Sequence, residues 1–346
     1  MISTADLEQP FCESRSLDES LRMYNPAIVQ FRGRLLMAWR MDSGRRLSMR
    51  RHMGVCALDD RLSVIQESKV NLSTTIQGGG VHHYDPRFLV WHDRLFIHYN
   101  NNFLTRPNLL FLVELDPDTL EAKAAARPIL LDAPRQMIEK NWMFFEHEDE
   151  LLAVYQIAPH VILDVNLSGN GPIVCTPRPA RKWDISAYAT RFGTPCGGSP
   201  PVRCGNEYIS FFHSRIPVSR MKWVMRYWPI PMKAQLPRYV AAIERRLRQP
   251  FDQWRYYAGA YAFSAQPPFD PLWITAEPVL RPEDEPPRTH KRRINPSADG
   301  IVYPCGAIAA EGCGWLVSYG LHDESCCLRH VESTSFKIHH DNFARS

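Results

Sequence analysis

The stretch DPRFLVWHDRLFIHYN, Asp85 to Asn100, lies without a gap over NPAIVQFRGRLLMAWR, Asn25 to Arg40, which begins 60 residues earlier. Pro86 matches Pro26, Arg94-Leu95 matches Arg34-Leu35, and apolar residues fall at the same positions throughout. Each copy is a short apolar run, a polar turn, and a second run rich in aromatic and β-branched residues, which is the pattern of a β-hairpin. A third copy, NWMFFEHEDELLAVYQ, starts at Asn141, 56 residues on, and a fourth, SPPVRCGNEYISFFHS, starts at Ser199 after another 58 with one position deleted. A fifth, YPCGAIAAEGCGWLVSYG, starts at Tyr303. Repeats of this period mark propellers or solenoids, in which each unit buries its faces against its neighbours. Five copies predict an all-β fold, a five-bladed β-propeller. The 28 prolines fit, because they punctuate turns between short strands.

The last interval, 104 residues, is too long by half a blade or more. An insertion near 216–256 accounts for it. Its PRYVAAIERRLRQ has helical composition, with Pro237 suited to a first turn and basic residues toward the end. The expectation is one propeller domain over 1–346 carrying a helical insertion; a basic amphipathic helix that docks on a partner or a membrane surface is the alternative for that segment. A second loop, RPEDEPPRTHKRRINPSADG, Arg281 to Gly300, is Pro-rich and charged and is expected to cross the surface before the last blade.

With 346 residues, 45% hydrophobic and 23% charged, the chain falls in the soluble globular class and can bury a large core. Its formal charge of +4 is small, so positive potential must be concentrated locally, as in a pocket for an anion, and no nucleic-acid partner is implied. The first residues, MISTADLEQPFCESRSLDES, are polar and acidic where a secretion signal is basic and then apolar. No window approaches a membrane-spanning apolar run, so no membrane span and a cytoplasmic location are expected. Nine cysteines, an odd number without a CxxC pair, read as reduced and mostly buried thiols. His82-His83 and His339-His340 would point their rings to opposite faces of a strand, so no metal site is expected. No GxSxG, P-loop or GxGxxG motif occurs.

In a propeller the inner strands start near one end of the central channel, so equivalent residues converge there. The repeats place Tyr24-Asn25, Asp85 with Arg87, Lys140-Asn141, Gly198-Ser199 and Tyr303-Pro304 at this rim, while the second strands end at Arg40, Asn100, His213 and His322-Asp323. A hairpin built only for packing needs no such set of carboxylates, cations, amides and imidazoles, although Asp or Asn before Pro also begins a turn well.

The ordered motifs YNPAIVQFRGRLLMAWR, YDPRFLVWHDRLFIHY, EKNWMFFEHEDELLAVY, GGSPPVRCGNEYISFFHS, YYAGAYAF and VYPCGAIAAEGCGWLVSYGLHD resemble glycoside hydrolase family 130, the β-mannoside phosphorylases and related five-bladed propeller enzymes. The resemblance runs from about Tyr24 to Asp323. It implies transfer of a mannosyl residue between a β-linked saccharide and phosphate, with inversion. No cofactor is then needed, inorganic phosphate or a sugar phosphate being the co-substrate. By the same resemblance Asp85 is the catalytic proton donor, acting through a sugar hydroxyl. Lys140 and His213, with Arg87, would bind phosphate; Asn25, Arg40, Asn141, Tyr257 and Asp323 would line the sugar sites. Tyr84 stands where the family has Glu.

The chemistry agrees independently. Cleaving a glycosidic bond normally takes two carboxylates, but a phosphate nucleophile leaves one acid and a cationic cradle sufficient, and Arg and Lys suit such a cradle. The expected partners are thus an oligosaccharide or sugar and phosphate, with a homo-oligomer left open. Two rival readings stay open: a mannosyltransferase using a nucleotide sugar, and a non-catalytic glycan-binding propeller.

Overall fold

The computed structural model describes residues 2, 6–7, 21–43, 50–101, 108–136, 138–219, 252–288, 295, 298–310, 312, 314–336 and 338–340. The matched repeats are hairpins. Strands β1 (Arg22–Phe31) and β2 (Arg34–Ser43) pair antiparallel up to Phe31↔Arg34, and Arg32 and Gly33 between them both have positive φ, 47° and 74°. Such a two-residue turn matches the right-handed twist of the strands it joins. With β3 (Arg50–Leu58) and the short β4 (Val70–Asn71) they form the first blade.

The second blade repeats the plan with β5 (His83–Trp91), β6 (Arg94–Asn101), β7 (Leu109–Leu115) and β8 (Arg127–Leu131). Its first turn, His92-Asp93, again has both φ angles positive. The third blade holds β9 (Met143–His147), β10 (Glu150–Gln156), β11 (Val161–Asn166) and β12 (Ile173–Pro177). At their outer edges the second and third blades join: β12 pairs in parallel with β8 through Ile173↔Ile129 to Cys175↔Leu131, which makes one eight-stranded sheet. The fourth blade comprises β13 (Val202–Cys204), β14 (Glu207–Ser219), β15 (Asp252–Ser264) and β16 (Pro271–Thr275), with β17 (Ala298–Gly300) lying parallel to β15. The fifth has β18 (Val302–Ala310), β19 (Gly314–Leu321) and β20 (Ser325–Glu332). Finally β21 (Ile338–His340) returns to the edge of β16.

The count of five blades is written in the core. Five separate apolar clusters fill the five gaps between adjacent blades. Leu36, Val55, Ile97 and Val113 pack between the first and second blades, and Leu89, Phe96, Phe144 and Leu163 between the second and third. Phe145, Val154, Phe212 and Tyr261 fill the next gap, then Phe211, Ala260, Val317 and Tyr319. Ile28, Trp39, Leu316 and Cys326 close the ring between the fifth and first blades. There the backbone N–H of Ile2 bonds the carbonyl of Cys326 at 3.1 Å, tying the chain start to the last blade. Because each blade is covered on both faces, its strands read as continuous apolar runs rather than as alternation; all eight residues of β19 are buried.

The expected insertion is shorter than 216–256. β14 and β15 remain paired as far as Ser219↔Asp252, so 216–219 and 252–256 are strand; Ile216 and Val218 are β-branched, which suits a pleated surface. The helical reading of the segment between falls on 220–251, outside the described residues. In the charged loop before the last blade, Pro282–Asp284 form a 3-10 turn and β17 follows. Among the described residues no helix is long and apolar enough to cross a membrane.

Ile97 is 0% exposed in the first inter-blade core. Ile97→Ala is expected to cost about 2–5 kcal/mol, through lost transfer free energy and the cavity left behind. Val174→Ala, on the outer surface, is expected to stay within about 0.5 kcal/mol. Urea midpoints of the two variants provide the comparison.

Candidate active site

Three inner strands break register at the same end of the ring. In β1 the irregularity falls between Tyr24 and Ala27, in β5 between Tyr84 and Arg87, and in β18 between Pro304 and Gly306. The residues left over in the first two are Asn25-Pro26 and Asp85-Pro86. Proline has no N–H to give a ladder, so it sits without cost where pairing lapses. Asn25 and Asp85 both adopt φ 54°, and Asn141, ahead of β9, adopts 63°. Asn and Asp tolerate this left-handed region better than other side chains bearing a Cβ. The repeated Asn/Asp is therefore a backbone device. It turns a short polar side chain out of the ladder and toward the other blades.

Those side chains meet. Asn25 Nδ2 donates to Asp85 Oδ1 at 2.8 Å, joining equivalent residues of neighbouring blades, and Arg40 Nη1 donates to the same oxygen at 3.1 Å. No bond to Oδ2 is made within the described residues. Arg40 also grips Asp42 with two bonds, 2.8 Å from Nε and 2.7 Å from Nη2, and Tyr24 donates to Asp42 at 2.9 Å. The Tyr84 ring lies within 5.0 Å of the Arg40 guanidinium and 5.2 Å of that of Arg51. Where the resembled family has a carboxylate, an aromatic ring here supports two cations through its quadrupole.

A cationic group adjoins this carboxylate group. Arg87 is 2% exposed; its Nε donates to the Gly198 carbonyl at 3.0 Å, its Nη1 to the Pro86 carbonyl at 2.9 Å, and its Nη2 makes no hydrogen bond among the described residues. The guanidinium lies 5.5 Å from the centroid of Tyr303, whose hydroxyl donates to Asn141 Oδ1 at 2.5 Å. His213 packs 4.5 Å from the same tyrosine ring, and its Nδ1 donates to the Gly197 carbonyl at 2.8 Å, which leaves Nε2 as an acceptor. Burial, together with the fields of Lys140, Arg87 and Arg215, pushes the His213 pKa down to about 3, so the ring is neutral near neutral pH. Its Nε2 can accept a hydrogen bond from a ligand hydroxyl, while the positive charge comes from its neighbours. Lys140 and Arg215 are exposed, and no carboxylate among the described residues pairs with either.

Two carboxyls of the site are driven apart. Burial raises the proton affinity of Asp85, but the fields of Arg40 and Arg87 and the bonds from Asn25 and Arg40 outweigh it, so Asp85 lies below its ordinary value. Asp323, at the loop after β19 with φ 57°, goes the other way: burial, Asp85 and Asp42 push it up to about 6 against the pull of Arg40 and Arg288.

Of the residues singled out from sequence, Asn25, Arg40, Asp85, Arg87, Asn141, His213 and Asp323 are linked by these bonds and fields, and Lys140 stands within the field felt by His213. Tyr257 is not among them. It points into the core between the third and fourth blades, where its ring meets Phe192 and its hydroxyl donates to Glu283 at 3.2 Å. Strand alternation puts its neighbour Tyr256 on the site side, 6.1 Å from His213 and nearly parallel to it. Sequence reasoning missed Asp42, Arg51, Arg215 and Tyr256. Arg215 was two positions beyond His213 on the same strand face, which was signal enough to find it. The glycines at 78–80 allow a close approach: a Cβ on Gly79 would stand 2.0 Å from the Tyr99 hydroxyl. Among the described residues no group of three or more His, Cys, Asp or Glu could hold a metal ion.

No family model and no curated protein matches the sequence. Solved structures do match over nearly the whole chain. The β-1,2-mannobiose phosphorylase from Listeria innocua superposes with a TM-score of 0.54 at 14% identity, covering 94% of this chain and 96% of that one. A GDP-Man-dependent mannosyltransferase from Leishmania mexicana gives 0.53 at 11% identity, covering 98% and 99%. A putative glycoside hydrolase from Bacteroides ovatus gives 0.55 at 13%, covering 92% and 88%. At these identities the likeness establishes the five-bladed propeller fold.

The raised pKa of Asp323 predicts a signed effect on stability. The folded state holds a proton on Asp323 between 3.8, its ordinary value, and about 6, where the unfolded chain has released it. Its contribution to stability is therefore complete below that window and is lost as pH rises through it. Buried histidines such as His213 titrate in the opposite sense, so the difference between wild type and Asp323→Asn isolates the carboxyl. Urea midpoints should favour the Asn variant progressively, relative to wild type, from pH 4 to pH 7.

Proposed function

We propose that the protein is a carbohydrate-active enzyme that moves a mannosyl residue between a β-linked saccharide and phosphate, by a single inverting displacement. The observation that carries this reading is the division of the channel end. Asp85, with Oδ2 open, faces one way into the polar group of Asn25, Arg40 and Asp323, and borders on the other side a cationic group, Arg87, Lys140 and Arg215, in which no carboxylate among the described residues pairs with Lys140 or Arg215. A water-using inverting hydrolase would want a second carboxylate base on the nucleophile side. Here that side is positive and suits an anionic nucleophile.

In this reading an oxygen of phosphate, held against Lys140 and the open edge of Arg87, forms the new bond to the anomeric carbon as the glycosidic C–O bond breaks. The leaving oxygen takes a proton originating on Asp85, and the products are a sugar 1-phosphate and the shortened saccharide. The Asp85 carboxyl is held low by Arg40 and Arg87 in the free site. A phosphate dianion against Arg87 offsets one of those fields and raises the proton affinity of Asp85 when the nucleophile is in place. His213 Nε2 would accept the P–OH or a sugar hydroxyl. The sugar residue would lie against Asn25, Arg40 and Asp323.

The test is transfer in the synthetic direction. Mannose 1-phosphate, and separately GDP-mannose, is incubated with the protein and a panel of acceptor sugars, and phosphate or GDP release is followed together with new disaccharide. Product from mannose 1-phosphate is expected; product from GDP-mannose alone would replace phosphorolysis with nucleotide-sugar transfer, and product from neither would leave a glycan-binding propeller. Asp85→Asn is expected to lower turnover on the order of a hundredfold to ten-thousandfold while saccharide binding persists. Near-full turnover in that variant would reduce Asp85 to a bulge-former.

A further inference from the structure

β14 and β15 outrun their blade. They pair over 13 residues each, from Glu207↔Ser264 to Ser219↔Asp252. β13 pairs with Glu207 to Ile209 on one side and β16 with Tyr261 to Phe263 on the other; beyond them Cys196 pairs with His213, Leu280 with Ala258, and β17 with Trp254 and Arg255. The hairpin therefore runs past β13 and β16 toward the end where His213 lies, with other segments along both of its edges. Cross-strand register puts His213, Arg215 and Pro217 of β14 on one face with Ala258, Tyr256 and Trp254 of β15.

On that face the side chains form a ladder. His213, 4% exposed, is the inner rung, close to parallel with Tyr256. Arg215 is directly opposite Tyr256 and donates to its hydroxyl at 3.3 Å, and the Arg215 guanidinium lies 4.6 Å from the Trp254 ring centroid. Trp254 and Tyr256 are half-buried and Arg215 is exposed. Burial thus falls from the inner rung outward, and no carboxylate among the described residues engages Arg215. Four residues of strand separate the level of Ala258 from that of Trp254, about 13 Å. That is longer than one pyranose ring.

We infer that this face of the β14–β15 hairpin is a saccharide-binding platform, which holds the part of an oligosaccharide that extends outward from the ring undergoing transfer. Aromatic faces at Tyr256 and Trp254 match the apolar faces of sugar rings, and the planar N–H groups of Arg215, pre-oriented by stacking and by the Tyr256 hydroxyl, match vicinal ring hydroxyls. The platform extends the proposed function by giving the enzyme a preference for chain length; its existence as a binding face is independent of turnover.

The experiment separates the two. With mannose 1-phosphate as donor, mannose is compared as acceptor with β-1,2- and β-1,4-linked mannotriose, and calorimetry measures binding of the same sugars without donor. A trisaccharide is expected to serve better than mannose. Trp254→Ala and, independently, Arg215→Ala are each expected to raise the trisaccharide KM by about tenfold, bringing the trisaccharide-to-mannose efficiency ratio toward one. Trp254→Phe should restore most of the preference, which a merely structural loss would not allow, and thermal melts confirm that each variant is folded. Trisaccharide binding that depends on Trp254, in the absence of any turnover, would sustain the platform and sink the phosphorylase reading. Equal use and equal binding of mannose and both trisaccharides would overturn the platform, as would Trp254-dependent binding of GDP with none of saccharide.

Discussion

Arg40, Asp85 and Arg87 are withdrawn from water together where the inner strands converge, and much of the ring end is arranged to make that tolerable. Burying a charge without a partner costs several kcal/mol, far more than any single packing contact returns. Asp85 lies between two guanidinium groups; Arg40 shares itself between Asp85 and Asp42; Arg87 is held by carbonyls from its own blade and from the fourth. The compensation is therefore collective and crosses blade boundaries. It sets the opposed shifts of Asp85 and Asp323, and it leaves one edge of Arg87 without a hydrogen bond among the described residues.

That edge gives the site its asymmetry. On the Asp85 side most charges are matched, while around His213 the cations outnumber the carboxylates. A neutral histidine among cations is what burial and repulsion produce before any ligand arrives, and an anion would reverse the balance of both. The site is thus electrostatically incomplete as it stands, on one flank only.

Much of this was legible in the sequence, for reasons that can be stated. A propeller repeats one hairpin, and the repeat fixes both the blade count and which residue of each copy comes to the centre; Asn25 bonding Asp85 across exactly one repeat length is the alignment made physical. The bulge at Asn25-Pro26 and Asp85-Pro86 was less visible, because Asx-Pro also begins ordinary turns. Tyr257 was misplaced because one residue of register exchanges the two faces of a strand. The true extent of β14 and β15 was hidden by a neighbouring segment of helical composition, against which strand propensity at Ile216 and Val218 carried little weight. Asp42 and Arg51 could not be found by motif at all. Their roles come from pairing register, which places Arg51 opposite Asp42.

The parallel seam between β8 and β12 fuses two blades that share no turn at that edge. Asp85 and Asn141 head the inner strands of those two blades, so both are mounted on one continuous hydrogen-bonded sheet. Asp323 and His213 hang from different sheets, connected to that one by side-chain packing and by hydrogen bonds such as Asn25 to Asp85, Arg87 to the Gly198 carbonyl and Tyr303 to Asn141. A backbone ladder thus holds the second and third blades together, while the other joints rest chiefly on side chains, apolar in the inter-blade cores and polar at the ring end.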